Sequence, residues 1–173
     1  MNDIALGRQT PSAIWEEHVY AEFVLKDADA AIATMVADPY VFCVPSGICA
    51  IGRAEVREFY ARHFLPSIPP DFQLKPLSRA TGSNRLVEEF VVRFTHSLRM
   101  DWLLPDLPPT GRTAEFVLVA VIGFRDGKVS HEHIHWDHTA LLCQLGVLDH
   151  PLACAGVTSA ARLLKLCEGF GVC

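Results

Sequence analysis

One run holds most of the chemically capable residues: His131-Glu132-His133-Ile134-His135-Trp136-Asp137-His138, with four of the chain's eight histidines. In an extended strand successive side chains point to opposite sides, so His131, His133, His135 and Asp137 share one face. Three readings suit such a ladder. A carboxylate walled in by Trp and apolar residues has its charged form disfavoured, and a neighbouring imidazole can shuttle or orient the proton. Neutral imidazoles and a carboxylate are also ligands for Zn, Fe or Mn. Histidines on a sheet face can instead be satisfied polar groups at a rim or a subunit interface, and one β-bulge would exchange the inward and outward sets. The acid/base reading makes Asp137 the group that takes or gives the proton. His133 or His135 tunes it, and His96 faces it from another strand. No cysteine and no second H-x-H supports a ligand set, so no metal is expected.

The elements that must carry these residues are legible from periodicity. Thr10-Pro11 is a helix start, a capping hydroxyl followed by proline at the first helical position. The helix is expected to run to about Lys26, with Ile14, Trp15, Val19, Phe23 and Leu25 on one broad face and His18 and Glu22 inside that face. A second helix is expected over 27–36, ended by Asp38-Pro39, then a short strand over 40–44. Gly52 leads into a third helix whose stripe is Val56, Phe59, Tyr60, His63 and Phe64. From Asp71 the period changes to two. Strands are expected over 72–80, 85–100, 113–125 and 128–138, with turns at Thr81-Gly82-Ser83-Asn84 and Asp126-Gly127. The 85–100 strand puts Leu86, Phe90, Val92 and Phe94 on one face, and the same parity carries Glu88 and His96. A proline-rich loop over 101–112 follows, in which Asp101 caps backbone and Trp102 closes the cavity mouth. Short helices are expected over 140–145 and 158–166. Helices first and strands afterwards argue an α+β fold: three N-terminal helices packed on a strongly curved antiparallel sheet, forming a cone with an apolar pocket.

The 173 residues fit one domain over 1–173, with the cone over 11–148 and a tail with a short helix over 149–173. The net charge of −5 and the singly scattered Lys and Arg leave no basic stripe, so nucleic acid is not an expected partner. No stretch approaches the roughly 20 apolar residues of a membrane helix, and residues 1–10 lack a signal-peptide apolar core. The six cysteines include no C-x-x-C pair and read as reduced thiols, consistent with a cytoplasmic location. Gly47-Ile48-Cys49-Ala50-Ile51 lacks the closing glycine of a hydrolase nucleophile elbow.

Asp126-Gly127-Lys128-Val129, then Trp136-Asp137, then Leu141-Leu142-Cys143-Gln144-Leu145-Gly146 resembles the end of SnoaL-like polyketide cyclase domains, within the nuclear-transport-factor-2-like cone fold. Gly52-Arg53 opening the third helix also fits. The resemblance covers about 11–148. It implies an apolar cavity inside the cone, a homodimer formed through the outer sheet face, and cyclase, isomerase or dehydratase chemistry on an apolar carbonyl compound without a cofactor. It also implies that Asp137 occupies the general acid/base position. The cavity is expected to be lined by Trp15, His18, Phe59 and His63 from helices, Tyr40, Phe94, Phe116 and Leu118 from strands, and Trp102 from the loop. The alternatives are a non-catalytic module that holds a hydrophobic ligand or dimerises, and a His/Asp metal-dependent enzyme.

Overall fold

The computed structural model describes residues 9–149, 156 and 158–170. Helix α1 (Pro11–Tyr20) begins as expected: the Thr10 hydroxyl accepts from the Ala13 amide and Pro11 takes the first helical position. It widens into a π-helical stretch, Ala21–Leu25, and stops where Lys26 adopts a left-handed backbone. Helix α2 (Ala28–Ala33) is capped by the Asp27 side chain and is shorter than expected. Strand β1 (Met35–Cys43) starts where the sequence suggested helix and runs through Asp38-Pro39, where its pairing is interrupted. Strand β2 (Ile48–Ile51) precedes α3 (Arg53–Glu58), which also widens into a π-helical stretch, Phe59–Phe64.

Strands β3 (Gln73–Thr81), β4 (Arg85–Thr95), β5 (Thr113–Arg125) and β6 (Lys128–Trp136) form the long hairpins. Asp126 and Gly127 both take positive φ, 54° and 72°, which is why a two-residue turn can join β5 to β6. The six strands form one curved, unclosed sheet in the order β2-β1-β6-β5-β4-β3. Every pair is antiparallel except β1 with β6. The α+β class is borne out, with one parallel pair inside the antiparallel sheet. Helices α4 (His138–Gln144) and α5 (Ser159–Phe170) follow the last strand.

The main core lies between α1–α3 and one sheet face. On the opposite face a smaller cluster joins Ala160 of α5 to Leu77 and Val91, with Val117, Leu163 and Leu164 against them. The tail helix therefore occupies the β3–β5 part of the outer face that the sequence assigned to a partner subunit. No helix among the described residues is long and apolar enough to cross a membrane. Cys143 is disulfide-bonded, where reduced thiols were expected, while Cys43, Cys49 and Cys167 are free. That expectation rested on the absence of an export signal, which is silent on which cysteines the fold brings together.

Candidate active site

Between the helices and the sheet lies a cavity of about 60 Å³. Trp15, Glu22 and Phe23 reach it from α1 and its π extension, Phe59, Tyr60 and Phe64 from the extension of α3. The sheet contributes Phe90, Leu118, Glu132 and Ile134, and the loop contributes Trp102. Both π-helical stretches thus carry cavity residues, Glu22 on one and Tyr60 on the other, as such local widenings do at functional sites.

The polar centre is a buried cluster of His18, Glu22, Tyr60 and Glu132, none more than 4% exposed. Its hydrogens can be assigned by counting donors. The Thr34 hydroxyl gives its hydrogen to the Ala31 carbonyl at 2.7 Å, so His18 Nδ1 donates to Thr34 Oγ1 at 2.6 Å. The Tyr60 hydroxyl donates to Glu132 Oε1 at 2.5 Å. His18 Nε2 then faces the Tyr60 oxygen at 3.1 Å and Glu132 at 3.1 Å, which have no hydrogen to offer, and the Glu22 carboxyl farther off at 3.4 Å. A hydrogen on Nε2 serves the two nearer oxygens, which makes His18 an imidazolium between two carboxyl groups. Electrostatics agree: burial acts to lower the His18 pKa, but Glu22 and Glu132 outweigh it and raise it to about 10. Burial raises the Glu22 pKa against the pull of His18. Burial also lifts Tyr60 well above its usual value, with Glu132 adding to the effect. A proton is therefore held on Glu22 more firmly than on an ordinary carboxylate.

Trp15 fixes the imidazolium from the side. Its ring stacks on His18 at 5.4 Å and 16°, and its Nε1 donates to Glu88 at 2.7 Å. Arg79 donates to Glu88 Oε1 at 2.9 Å and 3.1 Å, so Glu88 is paired rather than left at a rim. His18, Glu22 and Glu132 bring ligand-type atoms within 4.8 Å of one another, but an imidazolium has no lone pair to give, so the set takes a cation only where His18 Nε2 gives up its hydrogen.

The 131–138 ladder faces the other way. Val129 is fully buried, and a shift in the β5–β6 register between Gly123 and Phe124 leaves Ser130 as an extra residue. This bulge reverses the alternation, so Glu132, Ile134 and Trp136 face the helices and His131, His133 and His135 lie on the outer face. There His131 stacks on Tyr40 at 5.0 Å, and His133 Nε2 bonds the Tyr40 hydroxyl at 2.8 Å, while His135 is exposed. Tyr40, His133 and His135 are thus absent from the cavity lining. Asp137 is exposed and caps α4, accepting from the Ala140 amide at 2.9 Å. It ends the strand and starts a helix, so it does not share the ladder's geometry.

Of the other expected lining residues, Trp15, Phe59, Trp102 and Leu118 reach the cavity. His18 stands just behind its glutamates. Phe94 and Phe116 pack edge to face in the core instead, and His96 packs on Phe94 beside Thr110, with its Nε2 unpartnered. His63 is exposed, because the π turn over Phe59–Phe64 rotates it off the helical stripe. The loop behaves as expected. Asp101 accepts from the Asp106 amide at 3.2 Å, and the Trp102 indole donates to Ser67 at 3.0 Å. Glu132 was missed by the sequence reading. The signal was its parity with Ile134 and Trp136, the more apolar half of the run.

The profile of the SnoaL-like domain matches residues 17–132. No curated protein matches the chain. Among solved structures, an NTF2-like protein of unknown function from Burkholderia pseudomallei aligns at 18% identity and a TM-score of 0.61, covering 81% of this chain and 98% of that one. IdmH, a candidate polyketide cyclase of Streptomyces antibioticus, aligns at 21% and 0.60, covering 80% and 100%. TerC, co-crystallised with polyporic acid, aligns at 20% and 0.59, covering 78% and 97%.

Proposed function

Since this chain belongs to the SnoaL-like domain family, we propose that it is a small-molecule enzyme that moves protons on a cyclic, mainly apolar substrate with Glu22 and Glu132. The observation that carries this reading is the imidazolium of His18, buried between two carboxyl groups that line the cavity. Glu132 accepts from the Tyr60 hydroxyl and stands 3.1 Å from His18 Nε2. Glu22, whose charged form is penalised by burial, is the group that carries a transferable proton. Two carboxyl groups side by side, one of them with its proton held by burial, supply an acid and a base. His18 stays charged throughout, steadied by Thr34 and stacked under Trp15, and compensates whichever carboxylate is ionised.

The apolar walls favour a substrate with little polar surface, and the fold is shared with a protein that holds polyporic acid and with a candidate polyketide cyclase. The test is turnover across a panel of hydroxylated, epoxidised and carbonyl-bearing cyclic compounds, followed in D2O so that proton transfer appears as deuterium uptake. Glu22→Gln and Glu132→Gln are each expected to slow turnover by about 10²–10⁴-fold, the usual worth of positioned acid/base groups. Asp137→Asn is expected to leave it within a few-fold. Loss of activity in Asp137→Asn, with activity retained in the two glutamine variants, would overturn the reading.

A further inference from the structure

The cavity's charge and donor inventory points to the sign of the charge that its substrate develops. The indole and phenol hydrogens of the lining residues are already committed. The Trp15 indole donates to Glu88 at 2.7 Å, the Trp102 indole to Ser67 at 3.0 Å, and the Tyr60 hydroxyl to Glu132 at 2.5 Å. Among the described residues no Lys, Arg, His, Asn or Gln lines the cavity, and the Cys43 thiol is at best a weak donor, which leaves the Glu22 carboxyl as the one strong donor free to meet a substrate. An enolate or other oxyanion formed here would have the Glu22 carboxyl as its one strong donor and no cationic side chain on the wall. Positive charge meets the opposite surroundings. Eight aromatic rings line the wall, and their faces attract cations. The two glutamates in front of a single imidazolium leave the cluster with a net charge of one minus whenever both are ionised.

Resting on the acid/base reading above, we infer that this site takes substrates that become cationic at carbon, such as tertiary, allylic or benzylic alcohols and epoxides. For an alcohol the step balances without a co-reactant. The Glu22 carboxyl gives its proton to the hydroxyl oxygen, the C–O bond breaks with its electron pair leaving on oxygen, and water departs. The carbon cation is held between aromatic faces and the carboxylates. A carboxylate then removes a proton from the adjacent carbon, and that C–H pair becomes the new C=C bond. The proton returns to the cluster, and the net change is loss of one water from the substrate.

The experiment compares three probes of one shape class on the intact protein at pH 8: phenyltrimethylammonium, its neutral isostere tert-butylbenzene, and the anion benzoate. Binding is read by quenching of Trp15 and Trp102 in the cavity wall and checked by calorimetry. The cation is expected to bind about tenfold or more tightly than tert-butylbenzene, the worth of a desolvated cation–π and ion-pair contact. Benzoate is expected to be the weakest. The preference for the cation should shrink in Glu132→Gln and in Glu22→Gln, whichever variant keeps the wild-type melting profile, while tert-butylbenzene binding stays. Equal or weaker binding of the cation, or no binding of any probe, overturns the inference. It would leave the turnover loss expected for the glutamine variants untouched, so failure here and failure of the acid/base reading are separable.

Discussion

His18 concentrates the physical argument at the scale of single residues. Taking an imidazolium out of water is costly, and only the two carboxyl groups, the Thr34 hydroxyl and the Trp15 ring make it tenable. Because its folded pKa, about 10, lies above the unfolded value near 6.5, the folded state binds the extra proton between those pH values. The stabilisation is complete below about pH 6.5 and is lost as pH rises toward 10. Unfolding free energy from urea titrations is expected to fall between pH 7 and 9 by up to about 1.4 kcal/mol per pH unit. His18→Gln should flatten that slope, and an equally steep slope in the variant would refute the role. Removing the charge altogether by His18→Ala leaves two buried carboxyl groups without their cation, an expected loss of about 3–5 kcal/mol in the same titrations. The sequence showed that His18 and Glu22 lie on a core-facing stripe, because their spacing survives in the helix. It could not show that Glu132, 110 residues beyond Glu22, meets them, because no local pattern encodes that contact.

Three irregularities decide which residues an element offers to the cavity. One is the bulge at Ser130, and the others are the π turns that end α1 and α3. Helix and strand periods read from sequence assume regular elements, so they placed α1 and β5 well, carried β4 five residues past its end at Thr95, and failed where an extra residue is accommodated. His63 and the whole histidine ladder were misplaced for this one reason. The reversed ladder leaves its own mark on β5. The His131 ring lies directly over Gly123, where a Cβ would come within 2.0 Å of it. The ring is held by Tyr40 at 5.0 Å and His133 at 4.9 Å, so it has little freedom to move aside. Gly123→Ala is expected to destabilise the protein by about 1–3 kcal/mol through overpacking. Adding His131→Ala should recover most of that loss, and additive losses in the double variant would argue against the contact.

At the scale of the whole molecule, α5 changes what the sheet presents. The cone was legible from the order of helices and hairpins, but the place of the tail was not, since an amphipathic helix can cover its own sheet or a neighbour's. Here Ala160, Leu163 and Leu164 lie over Leu77, Val91 and Val117. Cutting the chain after Leu148 is expected to bare those three sheet residues and to raise the apparent mass in light scattering, as copies cover the exposed apolar face. An unchanged mass together with unchanged stability would mean that α5 contributes nothing to the fold. The outer surface of β1 and β6, with Tyr40, His131 and His133, is left outside this cover.

The most direct measurement is the protonation state of His18 by 15N NMR of the imidazole nitrogens at pH 8. Both nitrogens are expected to carry hydrogen in the wild-type protein, and Nε2 to lose its hydrogen at lower pH in Glu132→Gln than in the wild type. A neutral His18 at pH 8 would contradict the charged cluster on which the proposed proton transfer depends.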